Sequence, residues 1–330
     1  MNIIVDAMGG DNAPLEIIKG AVEARNEYNI DITLVGREDV IKSVAAENAI
    51  DISGMEIINA SEVIATDEEA DSVLKKKPDS SIAVGLRTLS EGTGDAFVSA
   101  GNSGALCVGG TLITKRIKGV KRPGFAPIMP HFGGGCFMLI DAGANLEARP
   151  EMLLQYALMG SAYMKNVMKV DNPRVGLANV GTEKHKGLEL QHKAYELLED
   201  ADINFIGNVE GRDLPYGCCD VVVCDGFIGN VILKTYEGTA KAIMGKIKTL
   251  FSKSAKSKLA AALVMNDLKE MVKEFDYHEY GGAPIMGTAK PVFKAHGSSK
   301  AKTVKNAIRL TKEYVEADVI NEITNALKRG

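Results

Sequence analysis

The chain has no tryptophan, only 5% aromatic residues, five cysteines and no excess of positive charge. Each shortage excludes something. Few aromatics leave no stacking platform for single-stranded nucleic acid. With 39 Lys and Arg against 43 Asp and Glu, a net charge of −4 argues against wholesale polyanion binding, so no nucleic-acid partner is expected. Cys107, Cys136, Cys218, Cys219 and Cys224 are odd in number, form no CxxC and include two neighbours, so neither a disulfide framework nor a zinc site is indicated. They read as reduced thiols, and the expected location is the cytoplasm. The first residues carry no basic segment followed by an apolar one, so no signal peptide is expected. No run of about 18 apolar residues occurs, so no membrane span is expected. HExxH, paired metal carboxylates, GxSxG and a convincing Cys/His pair are also missing. Neither a metal, nor another cofactor, nor covalent hydrolase chemistry is therefore implied.

What is present is an ordinary globular mix, 45% apolar and 25% charged over 330 residues. Short β-branched runs at 2–6, 31–35, 95–100, 125–130, 135–141, 174–180, 203–208 and 220–225 read as strands. Helical patterns at 14–28, 80–90, 104–114, 150–168, 188–199 and 298–317 lie between or after them. Strand and helix in alternation predict an α/β fold: a three-layer αβα, Rossmann-like sandwich with a mainly parallel sheet. Residues 125–141 depart from this, because two strand runs separated by four residues read as a hairpin. Residues 1–330 are expected to form one domain. A helical hairpin insertion is expected at about 229–275, amphipathic, locally basic, and broken near 252–257.

Glycine clusters fall where strands should end, the edge at which open α/β sheets bind ligands. Residues 6–12 hold Gly9, Gly10 and Asp11. Residues 99–105 read Ser-Ala-Gly-Asn-Ser-Gly-Ala, and Asn102, Ser103 and Gly104 there suit a phosphate or oxyanion cradle at a helix start. Residues 179–187 offer Lys184 and His185 beside a strand end. Asp225 and Asn230 flank another glycine turn, 280–287 form a fifth cluster, and His296, Ser298 and Ser299 precede the last long helix. Each also fits a plain turn or a capped helix. Lys115, Arg116, Lys118, Lys121 and Arg122 form a compact basic run that reads either as a solvated face or as a docking patch for an acidic partner. Cys107 reads as a packed residue before a nucleophile.

Eight motifs in order, DAMGGD, SAGNSGA, DAGAN, residues 179–187, NVEGRD, DGFIGN, residues 280–287 and HGSS, closely resemble the PlsX family of bacterial phosphate acyltransferases. The resemblance extends from the first residues to at least Ala307. It implies a fold like those of phosphotransacetylases and isopropylmalate dehydrogenase-like enzymes, and a homodimer with the long helices near its interface. It implies transfer of a long-chain acyl group from acyl carrier protein to orthophosphate. The acyl phosphate formed would feed a membrane glycerol-3-phosphate acyltransferase.

Within that reaction, residue chemistry assigns phosphate to Asn102, Ser103 and the Ser298–Ser299 helix start, and charge neutralisation or protonation of the leaving sulfur to Lys184 or His185. Gly9, Gly10, Asp11, Gly104, Asp225, Asn230 and His296 complete the expected substrate site. The basic run is the expected carrier-protein surface, and peripheral membrane contact through the helical hairpin is the alternative to its burial in a dimer. A phosphotransacetylase using small acyl-CoA, a dehydrogenase of related fold and a non-catalytic acyl scaffold are the competing readings.

Overall fold

A computed structural model of the chain describes residues 1–268 and 280–329. The strands in chain order are β1 (Asn2–Asp6), β2 (Asp31–Gly36), β3 (Glu56–Asn59), β4 (Ala96–Ser99), β5 (Gly124–Phe125), β6 (Ile128–His131), β7 (Gly135–Ile140), β8 (Arg174–Asn179), β9 (Asn204–Glu210), β10 (Val221–Val223), β11 (Gly282–Met286) and β12 (Val292–Ala295). The helices are α1 (Leu15–Tyr28), α2 (Glu38–Glu47), α3 (Ser81–Glu91), α4 (Ser103–Leu112), α5 (Pro150–Asn166), α6 (Glu189–Glu199), α7 (Gly226–Ser252), α8 (Ala255–Leu263), α9 (Ala301–Glu316) and α10 (Val319–Arg329).

The α/β reading holds, with the strands divided between two mostly parallel sheets. One has the order β3-β2-β1-β4-β12-β11-β5 and the other β6-β7-β10-β8-β9. In the first, β1 runs parallel to β2 and β4, and β12 parallel to β4. Only β11 reverses, pairing antiparallel with both β12 and β5. In the second, β10 lies parallel between β7 and β8, and β6–β7 is the antiparallel hairpin expected at 125–141. Doubly covered strands explain the almost unbroken apolar runs. Ile3, Ile4 and Val5 are buried on opposite faces of β1, with Ile4 in one core cluster and Ile3 and Val5 in another.

The larger core cluster crosses both sheets, joining Val5 and Phe293 of the first with Ile140 and Val221 of the second through α1, α5 and α9. A second cluster packs α3 and α4 on the opposite face of the first sheet, and a third packs the start of α7 on the second. Helices α2 and α10 and strands β3, β11 and β12 are absent from the sequence reading. The cluster at 280–287 is mostly strand β11, and its first residues, Tyr280 to Ala283, line the cleft described below. The expected break in the helical hairpin falls at Lys253–Ser254, where the Ser254 side chain caps α8. Helix α8 is nine residues long, and 269–275 of the expected hairpin lie outside the described residues.

The start of α7 is fixed by close backbone contact. A Cβ on Gly229 would sit 1.9 Å from the Asp141 carbonyl oxygen, so no side chain fits there without moving the helix. Gly229→Ala is expected to destabilise the protein by at least about 2 kcal/mol. Urea denaturation checks this, and an unchanged midpoint would mean that α7 shifts at no cost.

Candidate active site

Parallel strands end by releasing backbone N–H groups that need acceptors. At the end of β1 the carboxylate of Asp6, fully buried, accepts from Ser99 Oγ at 2.6 Å and from the Met8 amide at 3.0 Å. At the end of β7 the Asp141 carboxylate, also fully buried, takes the amides of Phe125, Gly143, Ala144 and Asn145 and the side chain of Asn145. Burial pushes both carboxyls above the usual range, and the hydrogen bonds they accept pull the other way. These aspartates staple two loops. Gly9 belongs to the first staple, since a Cβ there would meet Asp6 Oδ2 at 2.4 Å and the Gly101 nitrogen at 2.6 Å.

Beside the two loops opens a cleft of about 390 Å³, lined by neither the loop after β1 nor the loop after β7 but by the segments they brace. One side is the turn from β4 into α4, with Ala100, Asn102, Ser103 and Gly104, beside Lys294, His296 and Gly297 from the end of β12. The other side is apolar, with Phe125, Pro127, Ile128 and Met129 from the β5–β6 segment and Leu233 from α7. Lys234 and Glu237 of α7 close the rim.

Asn102, expected to bind phosphate directly, has no donor to spare. Its Oδ1 caps α4 by accepting from the Ala105 amide at 2.9 Å, and its Nδ2 donates to the carbonyls of Ala65, Thr66 and Glu68. It positions the start of α4 and the loop at 65–68. The unmet donors are the Ser103 and Gly104 amides, which have no protein acceptor among the described residues. A helix start with free N–H groups is an anion site in waiting.

The helix expected to start at Ser298–Ser299 starts later. Helix α9 begins at Ala301, its N-cap is Lys300, and the Ala301 amide donates to the Glu16 carboxylate at 2.9 Å. That carboxylate already complements the helix start. Ser298 Oγ is 2.9 Å from His296 Nδ1, and Ser299 Oγ is buried without a partner among the described residues. Asp11 donates its amide to the Gly297 carbonyl at 2.8 Å, which docks the β1 loop, Gly10 included, against the HGSS turn.

Lys184 and His185 do not line the cleft. They lie at the edge of the second sheet, where the Lys184 ammonium pairs with Glu199 at 2.5 Å. That partner raises its pKa, the wrong direction for a proton donor at neutral pH. Asp225 caps α7 through the Ile228 amide at 2.9 Å, and Asn230 packs beside Gly143. The residue the sequence reading missed is Lys294, only 6% exposed on β12, with Nζ donating to the Ala100 carbonyl at 3.1 Å and to the Ala295 carbonyl. One charge inside the apolar run Val-Phe-Lys-Ala was the available signal. Cys107 lies within α4 and does not line the cleft, and its surroundings push its thiol up to about 12, away from a nucleophilic thiolate.

The basic run is well braced. Ile117 and Val120 are buried, Gln155 bonds the Lys121 amide and the Gly119 carbonyl, and Arg116 donates to the Lys121 carbonyl. Lys115, Lys118, Lys121 and Arg122 remain exposed, at the opposite end of α4 from the cleft. Among the described residues no three His, Cys, Asp or Glu side chains gather as a metal site would need, and no helix is long and apolar enough to cross a membrane.

The fold is that of the phosphotransacetylases. A phosphotransacetylase from Streptococcus pyogenes superposes with a TM-score of 0.64 at 16% identity, and the EutD phosphotransacetylase from Staphylococcus aureus with 0.61 at 17%, each covering 96% of this chain and 94% of its own. Closer relatives come from sequence. The family described as fatty acid synthesis protein matches residues 1–322. A phosphate acyltransferase from Thermoanaerobacterium thermosaccharolyticum is 48% identical over 99% of this chain and 97% of its own, and one from Shouchella clausii is 45% identical over 100% and 99%. The chain belongs to this phosphate acyltransferase family and is an acyltransferase enzyme of fatty acid synthesis.

Asn102→Ala is expected to cost about 1–2 kcal/mol through the lost cap and to speed amide hydrogen exchange across residues 65–77. Unchanged protection there would remove the positioning role.

Proposed function

We propose that the enzyme moves a long-chain acyl group from the thioester of acyl carrier protein to orthophosphate, and that the acyl phosphate serves phospholipid synthesis. One observation carries the reading: a single cleft sets free helix N–H groups and a buried ammonium opposite an apolar wall. The first end suits a phosphate dianion and the second an acyl thioester.

The chemistry asks little more of the protein. Phosphate is already nucleophilic and a thiolate leaves readily, so direct attack requires neither a metal nor a covalent intermediate. The Ser103 and Gly104 amides, prepaid in geometry by the Asn102 cap, would hold the phosphate or the tetrahedral oxyanion, where one such donor is worth about 2.7–4 kcal/mol of barrier. Overall, the proton of hydrogen phosphate ends on the departing sulfur.

The acidic carrier protein would dock on Lys115, Arg116, Lys118, Lys121 and Arg122, about 15 Å from the cleft along the ten residues of α4. The exposed side chains Ile243, Leu250, Leu259 and Leu263 on α7 and α8 favour a homodimer contact there, with shallow membrane insertion as the other outcome.

Palmitoyl-carrier protein incubated with and without orthophosphate, with hydroxylamine trapping of acyl phosphate corrected for direct aminolysis, tests the reaction. Phosphate-dependent release is expected; release from acetyl-CoA alone would transfer the assignment to phosphotransacetylase chemistry, and no release at all to an acyl scaffold. The double variant Lys118→Glu and Lys121→Glu is expected to raise KM for the carrier substrate roughly tenfold with kcat unchanged. An unaltered KM rejects the docking surface. Leu250→Glu with Leu259→Glu is expected to give monomers in sedimentation velocity; dimers that no longer float with liposomes would instead identify a membrane surface.

A further inference from the structure

We propose that Lys294 is the cation of the phosphate subsite, its ammonium contacting the phosphoryl oxygens of bound orthophosphate. This rests on reading the cleft as the phosphate end of an acyl-transfer site. Lys294 stands on β12, where it is opposite Ser99 of β4 and Ala283 of β11. It is 6% exposed yet lines the cleft. An ammonium has three donors. Two are taken by the carbonyls of Ala100 and Ala295, and the third has no acceptor among the described residues. No carboxylate of the described residues pairs with it directly. A buried charge without an ion pair is costly, and a bound anion is the partner that removes the cost.

The other basic side chains of the cleft are engaged. Lys234 pairs with Glu237 at 3.1 Å, and His296 lies 4.0 Å from the same carboxylate. The Asp6 carboxylate is occupied by Ser99 and the β1 loop amides. Lys294 is therefore the cation whose partner is missing, and it sits beside the helix start whose Ser103 and Gly104 amides are also unmet.

The groups facing its ammonium are Asp6 and Asp11 from β1 and its loop, Cys107 from α4, and Lys234 with Glu237 from α7, with His296 two residues along its own segment. Burial dominates and pushes Lys294 down to about 8, with Lys234 adding to the effect and Asp6, Cys107 and Asp11 opposing it. The group is thus an ammonium at neutral pH and an amine above that value, and phosphate binds the ammonium form. Phosphate binding should accordingly lose strength as pH rises through this range, where orthophosphate itself stays dianionic.

The test follows phosphate in two ways, by KM in the coupled acyl-transfer assay and by equilibrium dialysis of radiolabelled orthophosphate, from pH 7.5 to 9.5. In the wild-type enzyme, phosphate affinity is expected to fall roughly tenfold or more across that range. Lys294→Met is expected to weaken phosphate roughly a hundredfold at neutral pH, with KM for the acyl thioester within about twofold. Lys294→Arg keeps a charge that does not titrate here, so it is expected to restore phosphate binding and to flatten the pH profile. A Lys294 that merely braces two carbonyls would leave phosphate affinity and its pH dependence untouched. If Lys294→Met fails to fold, the wild-type profile and Lys294→Arg decide. Flat wild-type affinity to pH 9.5, or a Lys294→Met enzyme with unchanged phosphate affinity, overturns the proposal. Lys294-dependent phosphate binding without acyl transfer would keep the subsite and discard the acyltransfer reading, so the two failures are distinct.

Discussion

Two buried carboxylates organise the working edge of this molecule. Every parallel strand ends by handing backbone donors to a loop, and a loop with unmet donors cannot be packed tightly. Asp6 and Asp141 collect those donors at the ends of β1 and β7. Each carboxylate accepts hydrogen bonds that offset part of its desolvation, which is why an acidic group can remain in the core. The loops so fixed carry glycines that let backbones touch, and the same carboxylates reach Ser99 and Phe125, next to segments that line the cleft. The Asp141–Phe125 bond does more, because Phe125 belongs to β5 of the first sheet and Asp141 follows β7 of the second. One carboxylate therefore ties the apolar wall of the cleft to the second sheet.

Much of this was legible in the sequence and the remainder was not, for physical reasons. Apolar runs such as 2–6 and 135–141 announce doubly covered strands, and the four-residue spacing of 131–134 announces the β6–β7 hairpin. Of the glycine motifs, those at 99–105, 280–287 and 296–299 contribute residues that line the cleft. Their individual roles were hidden, because Asn, Asp and Ser serve equally as ligands and as caps. Asn102 and Asp225 are caps, which only the hydrogen-bond partners reveal. Glu16 complements the start of α9 from 285 positions away, a pairing that no local pattern announces. Lys184 sits in a phosphate-like motif yet finds Glu199 on the neighbouring helix. Strand β12 is only four residues long and holds a lysine, so periodicity alone passes over it.

The membership in a phosphate acyltransferase family and the geometry of the cleft meet at a common requirement. Acyl transfer between two good leaving groups needs orientation and charge stabilisation more than reactive side chains. The described cleft is built in that manner. Its polar end combines backbone N–H groups at the start of α4 with the buried ammonium of Lys294, and His296, Lys234 and Glu237 line the same cleft. Groups of this kind cannot be recognised by residue type, which is why family resemblance named the chemistry before any residue could be assigned to it.

The cleft draws its polar end from the first sheet and its apolar wall from the β5–β6 segment and α7. Under the proposed reaction, anion recognition and chain-length selection are consequently written on separate parts of the scaffold. Exchange of Ile128, Met129 or Leu233 for larger or smaller side chains can retune the acyl preference while the polar end stays as it is. The two specificities can then drift independently, and an ancestor with this architecture could have served short and long acyl donors by repacking one wall alone.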